Sequence, residues 1–197
     1  MNPEMDKVIR WYVDNDKISR FRIYTNGTII PDEHILETLS HDKVHVRISD
    51  YGINQRQIGK LKEVLEKNKI SYYVTSYSDW QDSGDLRFRN YSVEQMREIF
   101  SKCYERNCIT FLKGQLHRCP RSAHAMNLEA MPIIQKDFID LKNWQGTDDE
   151  LKKSISEFQR KDYVMACNYC DGPNRNTQHI PAAIQIESPR YYEKYMV

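Results

Sequence analysis

Four of the five cysteines in this chain of 197 residues are spaced as metal ligands often are. Cys167 and Cys170 form a C-x-x-C pair, and Cys108 and Cys119 lie at the two ends of a predicted β-hairpin far upstream. Four thiolates suit either a cubane iron–sulfur cluster or a tetrahedral structural zinc ion. The cysteines therefore predict a metal centre held by sulfur, and on their own they leave both metals open.

The register of the predicted hairpin pairs two of these cysteines. Lys113-Gly114 is a two-residue turn signal between runs of alternating apolar residues. If these residues form the turn, Leu112 pairs with Gln115 and, further along, Cys108 lies opposite Cys119. Opposite residues have Cβ atoms about 4.5–5.5 Å apart. We therefore predict a ligand set whose members are Cys108, Cys119, Cys167 and Cys170.

Cys103 is the fifth cysteine and an alternative ligand. It follows Met96, Ile99 and Phe100 at helical spacing, so its ordinary role is that of a small core residue. It also precedes Cys108 by only five residues, near enough to replace it. Which of the two is the spare thiol stays open.

Arg121 and His124 follow the hairpin directly. We interpret them first as a supporting or surface pair. The alternative is that one of them donates a hydrogen bond to cluster sulfur or to substrate.

Composition and charge restrict the function classes. Lys and Arg number 29 and Asp and Glu 28, which leaves a formal charge of +1 and gives no sign of bulk nucleic-acid binding. No apolar run approaches the length of a membrane span, and the first ten residues have no apolar signal-peptide region. Cysteines without a secretory signal indicate a reducing compartment, so we expect a cytoplasmic protein without a membrane partner.

The first half of the chain alternates helix and strand. Helical spacing from Met5 to Val13 precedes a strand at 20–25, a helix opened by Pro31, a strand at 44–49, a helix from Ile58 and a strand at 70–75. This order predicts an α/β fold with a parallel sheet and right-handed crossovers.

The predicted strands alternate apolar and polar residues, which is unusual for parallel strands buried on both faces. One face is expected to pack under helices, and the other to line a cavity, face solvent or meet a missing partner. In such folds ligands bind at the carboxyl ends of the strands. That places Asn26, Ser49 and Asp50 at a candidate site.

We predict three parts: residues 1–90, residues 91–180 and a tail, 181–197. The polar segment Gln81 to Asn90 is interpreted as a linker or lid. Two capping boxes, one at Ser92 and one at Thr147, predict helices in the second part.

The order of these motifs resembles that of the radical SAM enzymes, especially those with a SPASM or shorter twitch auxiliary-cluster domain. The resemblance lies in residues 25–27 (Thr-Asn-Gly), residues 48–52 (Ile-Ser-Asp-Tyr-Gly) and the cysteine hairpin. The hairpin fits that domain's sequence of a cysteine, a spacer, a glycine, four residues and a cysteine. Cys103 gives the longer spacer usual in the family, so the resemblance favours Cys103 where the hairpin register favours Cys108.

The resemblance implies an incomplete parallel (β/α) partial barrel followed by a small cysteine-rich auxiliary domain that binds one 4Fe–4S cluster. The complete enzyme would generate a 5′-deoxyadenosyl radical and abstract a hydrogen from a small-molecule or peptide substrate. Asn26, Ser49 and Asp50 would lie near S-adenosyl-L-methionine (SAM) or substrate. The auxiliary cluster would bind substrate or accept an electron from the product radical.

The chain departs from the family in its first part. It contains no C-x-x-x-C-x-x-C motif, and the Gly-Gly-Glu motif of the family would fall just before Asn2. We therefore expect that this chain alone does not cleave SAM, and that a second chain supplies the missing barrel half or that the chain is a truncated frame. Whether it is an enzyme stays open, and the alternative is a zinc-stapled, non-catalytic binding module.

Overall fold

The computed structural model of the chain describes residues 4–52 and 57–183. These residues form two compact units: the first runs up to Trp80 and includes residues 181–183, and the second runs from Gln81 to Ile180. Residues 184–197 of the predicted tail lie outside the described residues. Within the described ranges, no helix is both long and apolar enough to cross a membrane.

The first unit contains the predicted alternation of helices and strands. Its elements are α1 (Met5–Val13), β1 (Phe21–Thr25), α2 (Glu33–Leu39), β2 (Val44–Asp50), α3 (Ile58–Lys67) and β3 (Tyr72–Ser76). The short strands β4 (Asp79–Gln81) and β8 (His179–Pro181) lie where the chain passes from one unit to the other.

β1, β2 and β3 form a parallel sheet in that order, which confirms the predicted mixed α/β fold with a parallel sheet. Ile23 lies beside Val46, and Ile48 lies beside Val74 on the next strand. Within the described residues the sheet has three strands and is open rather than closed into a barrel.

The apolar face of β2 carries the core of the first unit. Val44, Val46 and Ile48 are buried, and the residues between them are only half-buried. Because side chains alternate across a strand, helices cover one face and leave the other polar. The helices contribute Ile9 from α1 and Leu65 from α3, both at most 1% exposed.

The second unit is built from short elements. They are α4 (Val93–Lys102), β5 (Thr110–Leu112), β6 (Gln115–His117), α5 (Pro120–Asn127), β7 (Phe138–Asp140) and α6 (Asp148–Gln159), with 3₁₀ turns at Tyr104–Asn107, Gln135–Asp137 and Met165–Tyr169. Both predicted capping boxes are present, at Ser92 with Gln95 and at Thr147 with Glu150.

The predicted hairpin is present, with Leu112 opposite Gln115 and Thr110 opposite His117. Lys113 and Gly114 both have positive φ, 50° and 84°, as the tightest hairpin turns require. β7 then pairs antiparallel with β6. The paired register ends at Thr110, so the ladder does not reach Cys108.

The segment from Gln81 to Asn90, interpreted from sequence as a linker or lid, packs within the second unit. Arg89 donates from its backbone N–H to the carbonyl of Asn168 at 2.8 Å, and from Nε to Asp171 at 2.6 Å. The backbone N–H of Tyr91 donates to Asn168 Oδ1. These bonds fasten the segment to the turn that carries the C-x-x-C pair.

Candidate metal centre

Four cysteines line one cavity inside the second unit: Cys103, Cys119, Cys167 and Cys170. The cavity has a volume of about 20 Å³, room for about one water molecule, so its walls are closely spaced. The other lining residues are mainly apolar and include Ile99, Phe100 and Val164. Three separate stretches of the chain thus contribute thiols to one cavity.

Each of these stretches has a local reason to present its cysteine. α4 ends at Lys102, and the backbone N–H of the next residue, Cys103, donates to the carbonyl of Phe100 at 3.1 Å. Cys119 is the residue before α5, and Pro120 begins that helix, where proline is favoured. Cys167 lies in the 3₁₀ turn Met165–Tyr169, and Cys170 is the residue that follows this turn.

The structure places Cys103 on the cavity wall, whereas Cys108 is not among the residues that line it. The predicted hairpin register instead favoured Cys108 over Cys103 as a ligand. The physical reason is that strand pairing stops at Thr110, and a 3₁₀ turn at Tyr104–Asn107 separates the two cysteines. Cys103 thereby stays with the end of α4, where its side chain is 8% exposed.

Two cavity sulfur atoms accept hydrogen bonds from backbone N–H groups. The N–H of Glu105 donates to Cys103 Sγ at 3.3 Å, and the N–H of Gly172 donates to Cys170 Sγ at 3.3 Å. In both cases the donor lies two residues after the cysteine. Bonds of this kind stabilise thiolate character and tune sulfur-bound metal centres.

Burial favours the protonated form of the Cys103, Cys119 and Cys167 thiols. It raises the pKa of Cys119 to about 11 and that of Cys167 to about 12, and it also raises the pKa of Cys103. The backbone N–H groups of Ser122 and Arg121 act in the opposite direction on Cys119. Electrostatic interaction with Cys170 also raises the pKa of each of these three cysteines, which reflects the proximity of the four thiols. A metal that binds here must displace protons.

The thiols surround the cavity without meeting at one point. In the part of the chain that the structure describes, no group of three or more His, Cys, Asp or Glu side chains is close enough to hold a single metal ion.

Asp137 supports the turn that carries Cys167. Its side chain is 1% exposed and accepts the backbone N–H groups of Met165 at 2.8 Å and Ala166 at 2.7 Å. Burial raises the pKa of Asp137, and these two donors partly offset that effect. No sequence signal marked this residue, because its partners lie about 28 positions further along the chain.

Arg121 also lines the cavity, and His124 is exposed on the following turn of α5. Arg121 Nη2 donates to the backbone carbonyls of Gly84 and Asp85, the latter at 3.0 Å. Its Nε is buried and has no hydrogen-bond partner among the described residues. The sequence named Arg121 as a candidate donor but gave no indication of its contacts with residues 84–85.

Gly172 occupies a position that only glycine fits. Its φ is +68°, and a Cβ there would lie 2.4 Å from Ile99 Cγ2. We expect Gly172→Ala to lower the unfolding free energy of the metal-free chain by about 1–3 kcal/mol, the usual cost of overpacking. Chemical denaturation measures this loss. The control is Gly59→Ala in α3, where a Cβ meets nothing within 4 Å, and it should stabilise by about 0.5–1 kcal/mol. Equal effects of the two changes would contradict the argument.

The other candidate residues lie at the carboxyl ends of β1 and β2 in the first unit. Asn26 and Ser49 line a second cavity of about 470 Å³. Asn26 Oδ1 accepts from the N–H and the hydroxyl of Thr28, at 3.2 and 2.8 Å. Asp50 is not among the residues that line this cavity, and its Oδ1 accepts the N–H of Gly52 at 2.9 Å. Asn26 and Asp50 therefore also shape their own turns.

The polar face of the sheet contains a cluster that the sequence did not predict as a unit. The Arg47 guanidinium lies between 5.2 and 5.9 Å from the ring centroids of Tyr24, Tyr73 and Tyr77, and it donates to the Tyr77 hydroxyl at 2.6 Å. A hydrogen bond from Arg22 lowers the pKa of Tyr24, and Arg47 lowers it further. Strand alternation marked this face as polar, but the ring contacts depend on side-chain orientation.

Compared with models of known protein families and with curated protein sequences, the chain matches none.

Proposed function

We propose that this chain binds one 4Fe–4S cluster through Cys103, Cys119, Cys167 and Cys170. The observation that carries the proposal is the single cavity lined by these four thiols. A 4Fe–4S cubane takes one ligand at each of its four irons, so its ligands lie further apart than those of a single metal ion. Thiolates are its usual ligands. The N–H donors at Cys103 and Cys170 and the buried Nε of Arg121 suit the sulfur atoms and the negative charge of such a cluster.

The number of thiols favours electron transfer over substrate binding. Four cysteines supply one ligand to each iron of a cubane, which leaves no iron position open for another molecule. When bound, the cluster supplies one-electron redox chemistry. Cys108, outside the cavity lining, is then the spare thiol.

We infer further that the chain is the second part of a radical SAM-type system. The support is the motif order described above, together with the open three-stranded parallel sheet that would belong to a partial (β/α) barrel. In that arrangement Ser49 and Asn26 would face SAM or substrate in the cavity that they line. A partner that carries the C-x-x-x-C-x-x-C motif would provide SAM cleavage.

Metal analysis tests the cluster proposal. Purified anaerobically and reconstituted with iron and sulfide, the full chain should contain about four iron and four sulfide per chain and absorb at about 400 nm. Stoichiometric zinc in anaerobically purified protein, with no iron taken up on reconstitution, would overturn the proposal in favour of a zinc-stapled module.

A further inference from the structure

Arg121 is a half-buried cation whose buried Nε donor has no acceptor among the described residues. It lies two positions after Cys119, in the first turn of α5, and lines the cavity of the four cysteines. Its Nη2 is fixed by the carbonyls of Gly84 and Asp85, while Nε has no partner among the described residues. The guanidinium is thus held in place at one end and unsatisfied at the other.

An unsatisfied buried donor costs about 1–3 kcal/mol, and more when it is charged. Most such groups in native proteins have a partner. Asp85 pairs with Arg87 at 2.6 Å, and Asp171 pairs with Arg89 at 2.6 Å. Glu105, the carboxylate that lines the cavity, is hydrogen-bonded to the Cys108 thiol. Since Arg121 lines the cavity, we expect the group that fills the cavity to accept a hydrogen bond from its Nε.

We propose that Arg121 donates a hydrogen bond from Nε to a sulfur atom of the cluster that the four cysteines bind, and so raises its reduction potential. This inference rests on the proposed cluster. Reduction adds one electron, and therefore one negative charge, to a cluster that already carries four thiolates. A fixed positive charge and an N–H donor stabilise the reduced form more than the oxidised form. Arg121 is thus a positioning and potential-setting residue rather than a ligand.

The test compares the parent chain, Arg121→Gln and Arg121→Lys, each reconstituted anaerobically. Iron and sulfide analysis reports loading, and titration with dithionite followed by electron paramagnetic resonance gives the midpoint potential. Glutamine removes the charge, so its midpoint should fall by an amount that corresponds to at least about a tenfold change in the reduction equilibrium, about 59 mV for one electron. Lysine keeps the charge without the Nε donor and should give a smaller shift in the same direction.

Arg118→Gln is the matched control. Arg118 is buried, its Nε is likewise without a partner among the described residues, and its guanidinium lies 5.2 Å from the Phe100 ring centroid. It is not among the residues that line the cavity. Its replacement should leave the midpoint potential unchanged.

Three results would overturn the inference. An unchanged midpoint in fully loaded Arg121→Gln would overturn it and leave the cluster proposal intact, and so would an equal shift in Arg118→Gln. Absence of iron and sulfide from the parent chain would overturn the cluster proposal itself. If Arg121→Gln does not bind the cluster, Arg121→Lys provides the test. An unchanged midpoint potential in Arg121→Lys would show that the Nε donor does not set the potential.

Discussion

Cys167→Ser is expected to abolish cluster binding, with bound iron falling at least about tenfold after anaerobic reconstitution. The estimate is a lower limit, because replacing even the residues that support a ligand typically costs 10–100-fold in metal affinity. Cys167 is 7% exposed and lines the same cavity as the other three thiols, so no nearby residue replaces it easily. Iron and sulfide content, together with absorbance at about 400 nm, measures the loss.

Cys103→Ser and Cys108→Ser form the matched pair for this experiment. Cys103 lines the cavity and should behave as Cys167 does, whereas Cys108 lies outside the lining and should keep parental iron content. Both are free cysteines in the same short stretch, so general effects of thiol removal affect them alike. A cluster retained in Cys103→Ser and lost in Cys108→Ser would assign the fourth ligand to Cys108, as the hairpin register first suggested.

Asp137→Ala is expected to lower the unfolding free energy of the chain by about 2–4 kcal/mol. The change leaves the N–H groups of Met165 and Ala166 without their acceptor, and each unsatisfied buried donor costs about 1–3 kcal/mol. Because the turn that carries Cys167 depends on these bonds, cluster loading should also fall. Denaturant titration and metal analysis of the same preparation measure the two effects.

Asp149→Ala and Asp137→Asn control for this result. Asp149 is 91% exposed and pairs with Lys152 at the surface, so its removal should cost less than about 1 kcal/mol. Asparagine at 137 keeps one acceptor oxygen and should fall between aspartate and alanine. If Asp137→Ala unfolds at the same denaturant concentration as Asp149→Ala, the carboxylate does not support the cysteine turn.

Periodicity in the sequence sufficed to predict the first unit. Buried positions recur at helical spacing in α1 and α3 and at every second residue in β2, and these patterns alone place the parallel sheet. Such local patterns are set by burial of one face, so they can be read without the tertiary structure. The Lys113-Gly114 turn was predictable for a similar reason, since few residues accept its backbone geometry.

The candidate metal centre was only partly predictable. Cysteine spacing marked the C-x-x-C pair and Cys119, but the choice between Cys103 and Cys108 depends on where α4 ends and where strand pairing stops. The supporting contacts were not predictable at all. Asp137 meets residues 165–166 and Arg121 meets residues 84–85, and such long-range polar contacts follow from packing that no local pattern encodes.

Because the cavity thiols come from three separate stretches of the chain, binding of a cluster would affect the folding and turnover of the protein. A group bound to all four cysteines would link the end of α4, the start of α5 and the turn Met165–Tyr169, closing two long loops of polypeptide at once. The free energy of binding such a group then contributes directly to folding. Oxidative destruction of the cluster would sever all of these links in one event and loosen the surrounding polypeptide. The supply of iron for the cluster would then influence how fast cellular proteases degrade the protein.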